Sequence, residues 1–277
     1  MTAMAPPPPT ERPPDLALPR ARGELRASFV LRDGRTRLAR LYQQGSARAI
    51  LPATPGCEMV VLNTSGGLAG GDRLRIGVDL AEGTHLTATT QTAERAYRAT
   101  TSPARIEARL TVGAGAHLDW LPQETILFDG ARLHRDQEVA LAHGASCLWA
   151  ETLILGRAAM GETVRRLDLT DRRRITRDGR PLHVENLRLD DAALADGASP
   201  ATLAGSRAFA TVVLVAEGAE RLLAPARAAL GRDGAASLVA GRLVARLIAA
   251  DGWPLRQTLA RLIAALRPGP LPRVWQI

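Results

Sequence analysis

Leu110 to Leu118 reads LTVGAGAHL, and the same outline occurs twice more in the chain. Asp79 to Leu86 reads DLAEGTHL and Ala140 to Leu148 reads ALAHGASCL, so the three stretches begin about 30 residues apart. Each runs from a strand-like segment through a turn of glycine and small residues into a second strand-like segment. A strand–turn–strand unit at a regular spacing implies stacked β-coils or a repeated hairpin layout.

The flanking sequence has the same character. Glu24–Leu31, Arg73–Val78 and Ala104–Val112 alternate polar and apolar residues, with glycines and prolines between them. Alternation at period two means strands with one face buried. The last third changes: Ala219–Leu230 and Pro254–Leu266 space their apolar residues as helices do. Leu243–Ile248 reads as a strand between them, and Asp190–Ala201 as an exposed connection. The expected fold is mainly β, with stacked, β-helix-like strands in repeated strand–turn–strand units, plus about two C-terminal α-helices. Residues 1–22 read as a disordered Pro-rich leader, because Pro6–Pro9, Pro13, Pro14 and Pro19 crowd it. Residues 23–277 read as a single domain, β-rich over 23–217 and helix-containing over 218–277.

Composition narrows the chemistry. The 277 residues carry 36 basic and 28 acidic groups, a net charge of +8, and every basic residue is arginine. Without lysine there is no P-loop lysine, no Schiff base and no Ser–Lys pair. The arginines are scattered; the one run, Arg172-Arg173-Arg174, lies between Asp171 and Asp178 and reads as solvated surface. Aromatics make up 3% of the chain, few for stacking on bases, so nucleic acid is not an expected partner. No apolar run is long enough for a membrane span, and no signal-type apolar block follows a basic start. With two cysteines, Cys57 and Cys147, no disulfide framework is indicated, and the cytoplasm is the expected compartment.

The five histidines form no zincin spacing, and no Cys-x-x-Cys occurs. Two His-x-acid triplets, His117-Leu118-Asp119 and His183-Val184-Glu185, place imidazole and carboxylate on one strand face, where a solvent-facing polar face is the plainer reading. Glu124 and Glu151 stand in apolar neighbourhoods, which requires them to be paired, or to line a wet cavity. In Leu62–Leu74, LNTSGGLAGGDRL, the absence of lysine and the placing of Asp72 after the last glycine argue against a phosphate cradle. The glycines there suit φ > 0 turns and close backbone approach, and the turn would aim Asp72 into a polar passage.

Five motifs then occur in order: Gly66–Asp72, Thr89-Thr90-Gln91 leading to Arg95–Arg98, Trp120–Glu124, Leu155-Gly156-Arg157 with Gly161-Glu162, and Leu271–Trp275. Together they resemble the urease accessory protein UreD (UreH) family from about Glu24 onward. The resemblance implies a non-enzymatic maturation factor, largely β with a few helices. Such a factor binds apo-urease and, with UreF-type and UreG-type partners, helps load nickel into the urease active site. It also implies a water-filled route with Asp72, Glu94, Glu151 and Glu185 as weak nickel contacts, no tightly bound cofactor, and nickel in transit. Where many relatives carry His-Pro-Pro this chain has Asn63-Thr64-Ser65, so no metal ligand is assigned there. A nickel conduit must bind weakly in several places, which isolated carboxylates do and a four-ligand cage does not. The alternative is a β-solenoid carbohydrate-active enzyme using paired carboxylates, against which the scarcity of aromatics counts.

Overall fold

The computed structural model describes residues 19–276; most of the proposed leader, residues 1–18, lies outside them. The strands are β1 (Arg22–Arg32), β2 (Arg35–Gly45), β3 (Ala47–Ile50), β4 (Glu58–Asn63), β5 (Arg73–Leu80) and β6 (His85–Thr90). There follow β7 (Glu94–Ala96), β8 (Ala104–Val112), β9 (His117–Leu121), β10 (Thr125–Leu127), β11 (Ala131–Leu141) and β12 (Ser146–Leu155). β13 (Leu167–Arg177), β14 (Arg180–Asp190), the short helix α1 (Asp191–Ala195) and β15 (Ala208–Val215) come next. The chain then forms α2 (Leu223–Leu230), β16 (Gly234–Val239), β17 (Arg242–Ala249) and α3 (Gly252–Leu266).

From β4 to β13 the chain shuttles between two sheets. The first has the order β14-β13-β11-β8-β5-β1-β2, and the second β16-β17-β15-β12-β9-β6-β4-β3, with β10 pairing β12 and β7 pairing β10. β1, β5, β8, β11 and β13 are parallel neighbours, as are β4, β6, β9 and β12. Each pair of crossings adds one coil, and the three related stretches are the crossings from the first sheet to the second: His85, His117 and Ser146 sit in register on β6, β9 and β12. Gly83, Gly115 and Gly144 all take positive φ in these turns, a conformation glycine adopts without strain. The fold is thus a two-sheet β-solenoid with antiparallel strands at its ends.

Two apolar layers hold it together. Between the sheets lie Leu25, Phe29, Met59, Val78, Leu118, Leu133 and their neighbours. The outer face of the second sheet, including Leu121, Leu148 and Ala150, is covered by α2, α3 and the C-terminal segment. α3 starts at Asp251, whose side chain accepts from Gly252 N at 2.7 Å, and Pro254 falls in the first turn, where a missing N–H is harmless. Leu255, Leu259, Leu262, Ile263 and Leu266 form its buried stripe, each side chain contributing about 1.5–3 kcal/mol.

The expected strands and the two C-terminal helices are present. The expected connection Asp190–Ala201 differs: its first part is α1, because Asp190 caps it through Ala193 N at 3.0 Å and alanines follow. The arginine run differs too, since Arg172 and Arg174 are exposed but Arg173 is buried. On a strand the middle of three residues must point the other way.

The opening turn of the UreD-like motifs behaves as a close-approach device. Gly66, Gly67 and Gly71 have positive φ. A Cβ at Gly67 would lie 2.4 Å from the Tyr97 ring, and one at Gly70 would lie 2.6 Å from Ser102 O. Leu68 consequently bonds the neighbouring segment, N to Arg95 O at 2.7 Å and O from Tyr97 N at 2.8 Å.

Candidate functional site: a buried row of charges between the sheets

The inward positions at the middle of the first sheet's strands are apolar in the early coils and polar in the late ones, where Leu133, Val139, Leu169 and Ile175 flank them as buried apolar residues. One register row runs Leu25, Ile76, Ala108, Gln137, Arg173, Glu185; the row beside it runs Leu74, Ile106, Arg135, Asp171. The second sheet adds Glu151 on β12. Arg135, Gln137, Glu151, Asp171 and Arg173 are all buried.

Arg135 is the hub. Its Nε and Nη2 bond the Asp171 carboxylate at 3.0 and 2.5 Å, and Nη1 reaches Glu151 Oε2 at 2.8 Å. Gln137 Nε2 donates to Glu151 Oε1 at 2.8 Å, which also accepts from Trp149 Nε1 at 3.3 Å. Arg173 binds Asp171 through Nε at 3.0 Å and through Nη2, and its Nη1 lies 3.4 Å from Glu185 Oε2. Glu185 in turn meets Arg246 Nη1 at 2.6 Å, and Arg246 is exposed. The row therefore leads from the interior to the surface through alternating charges.

Its inner end approaches Glu94. Thr125, the register partner of Glu94, accepts from Arg135 Nη1 at 3.1 Å. The Glu94 carboxylate is held by Asn63 Nδ2 at 3.1 and 3.2 Å, and both line a small, partly open cavity of about 50 Å³. Asn63, to which the sequence assigns no metal-ligand role, binds a carboxylate.

The charges set the protonation states. Burial pushes Glu94 up to about 7, against the Asn63 hydrogen bond and the charges of Arg95 and Arg135. Burial also opposes ionisation of Asp171, but Arg135 and Arg173 outweigh it and hold that carboxyl below its usual range. For Glu185 the same opposition from burial is overcome by His183, Arg173 and Arg246, which bring it down to about 2. Burial tends to lower Arg135, and its two carboxylate partners raise it instead.

Of the four expected nickel contacts, Glu151 and Glu185 belong to this row and Glu94 lies beside it. Asp72 does not join them. Its oxygens accept from Ala21 N at 2.8 Å and Ala69 N at 2.7 Å, so it closes the glycine turn and ties down the start of β1. Glu124 pairs with Arg256 at 3.2 Å. The two His-x-acid pairs are more buried than a solvent-facing reading expects. His183 points inward with Nε2 unbonded, 3.6 Å from Glu185 Oε2 and beyond hydrogen-bond reach. His117 bridges Asp119 at 2.9 Å and Ser146 at 2.7 Å. Among the described residues no three His, Cys, Asp or Glu side chains gather as a metal set.

Sequence reasoning missed Arg135, Gln137, Asp171 and Arg173. A signal existed in the register: continuing the Leu74–Ile106 row by one coil reaches Arg135.

In the interior of this β-solenoid Arg135, Arg173 and Arg246 are matched by Glu151, Asp171 and Glu185. The comparisons name the kind of protein. The family profile described as "UreD urease accessory protein" matches residues 21–276. The protein named urease accessory protein UreD from Paracoccus denitrificans (strain Pd 1222) is 56% identical over 257 residues, 91% of this chain and 92% of the relative. Relatives of the same name from Cereibacter sphaeroides (strain ATCC 17025 / ATH 2.4.3) and Chelativorans sp. (strain BNC1) are 52% and 48% identical. They cover 95% and 93% of this chain, and 98% and 95% of their own lengths. The chain belongs to the UreD family of urease accessory proteins.

Proposed function

We propose that this protein serves urease maturation as a non-catalytic scaffold that binds apo-urease with UreF-type and UreG-type partners and helps deliver nickel to the urease active site, working in the cytoplasm. In this reading Glu94, Glu151 and Glu185 line the route, and no cofactor stays bound. The observation that carries it is the buried polar row, lying between the sheets of a UreD-family chain and opening at Glu185 and Arg246.

The chemistry supports transit over storage. Every carboxylate of the row has an arginine or amide partner, so an entering dication finds oxygen donors that are already shared. Shared donors bind weakly, and a conduit needs weak binding. Arg135 and Arg173 keep Asp171 charged, and they also repel a dication that lingers. The carbohydrate-enzyme alternative fits poorly: a general acid needs a strongly raised pKa, the acid pushed up to about 7 is Glu94, and its cavity of about 50 Å³ is far too small for a sugar ring.

The test is a deletion strain. Urease subunits should accumulate at normal levels with little nickel and little activity, and this chain should restore both. Full nickel content without it would refute the reading.

A further inference from the structure

The outer face of the first sheet carries a feature that the buried row does not use. β1, β5 and β8 set Arg22, Arg73 and Arg105 side by side in register, all exposed. Parallel strands lie about 4.8 Å apart, so three guanidinium groups share one short line. The register continues through His134 and Thr170 to Arg188. Beside that end opens a surface groove of about 700 Å³ where Arg132 and Arg188 are paired with Asp168 and Asp190 at 3.0 and 3.5 Å, so the unpaired arginines here, among the described residues, are Arg22, Arg73 and Arg105 of the line itself and Arg98.

Like charges directly across strands cost stability, and the local acids do not relieve this line. In the next row Glu24 is engaged by Arg26 at 2.6 Å and Glu107 by Arg75 at 3.4 Å. Asp72, at the start of β5, has both oxygens on backbone amides. Among the described residues no carboxylate pairs with Arg22, Arg73, Arg105 or Arg98. We infer that this arginine line is a docking surface for an extended acidic segment of a partner protein. Guanidinium groups suit carboxylates because their fork matches two oxygens at once. A nucleic acid fits less well, because Glu24, Glu107 and Asp136 border the line on one side and would repel a broad phosphate backbone.

The test uses the full chain and fluorescein-labelled decaglutamate, with decathymidylate as the competing class. Decaglutamate should bind at low salt and weaken as salt rises. The pair Arg73→Glu, Arg105→Glu should weaken it about tenfold. The pair Arg37→Glu, Arg40→Glu on β2 changes net charge equally but lies off the line, and should weaken it less than about twofold. Arg73→Gln with Arg105→Gln serves if charge reversal disturbs folding, and it should act in the same direction. Unchanged binding in the on-line variants, or equal loss in both pairs, overturns the proposal. Tighter binding of decathymidylate that depends on Arg73 and Arg105 overturns it in favour of nucleic acid.

Discussion

The early and late coils of the first sheet share one backbone design and fill it in opposite ways. Along a single row, Leu25, Ile76 and Ala108 give way to Gln137, Arg173 and Glu185. The early half is held by apolar burial, which is non-directional and indifferent to pH. The late half keeps an apolar layer that includes Leu133, Leu169 and Ile175 but adds a row of paired charges, and each member of that row depends on its partners being present and charged. A strand ladder fixes where side chains point without dictating what they are, so one solenoid accommodates both a dry core and a polar interior.

The sharpest way to break the comparison is to remove the hub. Arg135→Ala leaves Asp171 and Glu151 buried without their cation and should cost about 3–5 kcal/mol in denaturant unfolding. That penalty should shrink in acid, as the stranded carboxylates take up protons. In the dry half, Leu25→Ala opens a cavity and should cost about 2–5 kcal/mol, with the same penalty at every pH where the protein folds. If the two variants show the same pH dependence, the two halves are not held by different forces.

A smaller effect separates Glu94 from the row. Its folded pKa of about 7 lies above the ordinary glutamate value of 4.5. Between those values the unfolded chain releases the proton while the folded protein keeps it, so stability falls as pH rises through that window. Glu94→Gln removes the cost of the buried charge. It should therefore raise the melting temperature at about pH 8, by roughly 1–3 kcal/mol of stability, and change little near pH 4. Glu185 behaves oppositely: its contribution is complete above the usual carboxylate range and is lost as pH falls toward about 2.

The contrast also explains what the sequence discloses. Repeats at LTVGAGAHL and its two relatives expose the solenoid, because turns need glycine and inward positions of the early coils need aliphatic residues. In β11 the signal fails. His134-Arg135-Asp136-Gln137-Glu138 is polar throughout, so period two vanishes and the buried Arg135 and Gln137 look like their solvent-facing neighbours. Thr170 to Arg174 fails in the same way, which hides Asp171 and Arg173. Glu151 is legible because Trp149, Leu153 and Leu155 surround it with apolar strand. Asp72 is legible as a special residue, but its backbone partner Ala21 lies far away in sequence, and only the folded chain reveals that its oxygens are taken.

The nickel route is tested most directly at Glu185, where the buried row meets the surface. Urease isolated from cells carrying Glu185→Leu, in which this chain still folds and still captures apo-urease, should contain little nickel and have low activity. Wild-type nickel content in that urease would contradict the account.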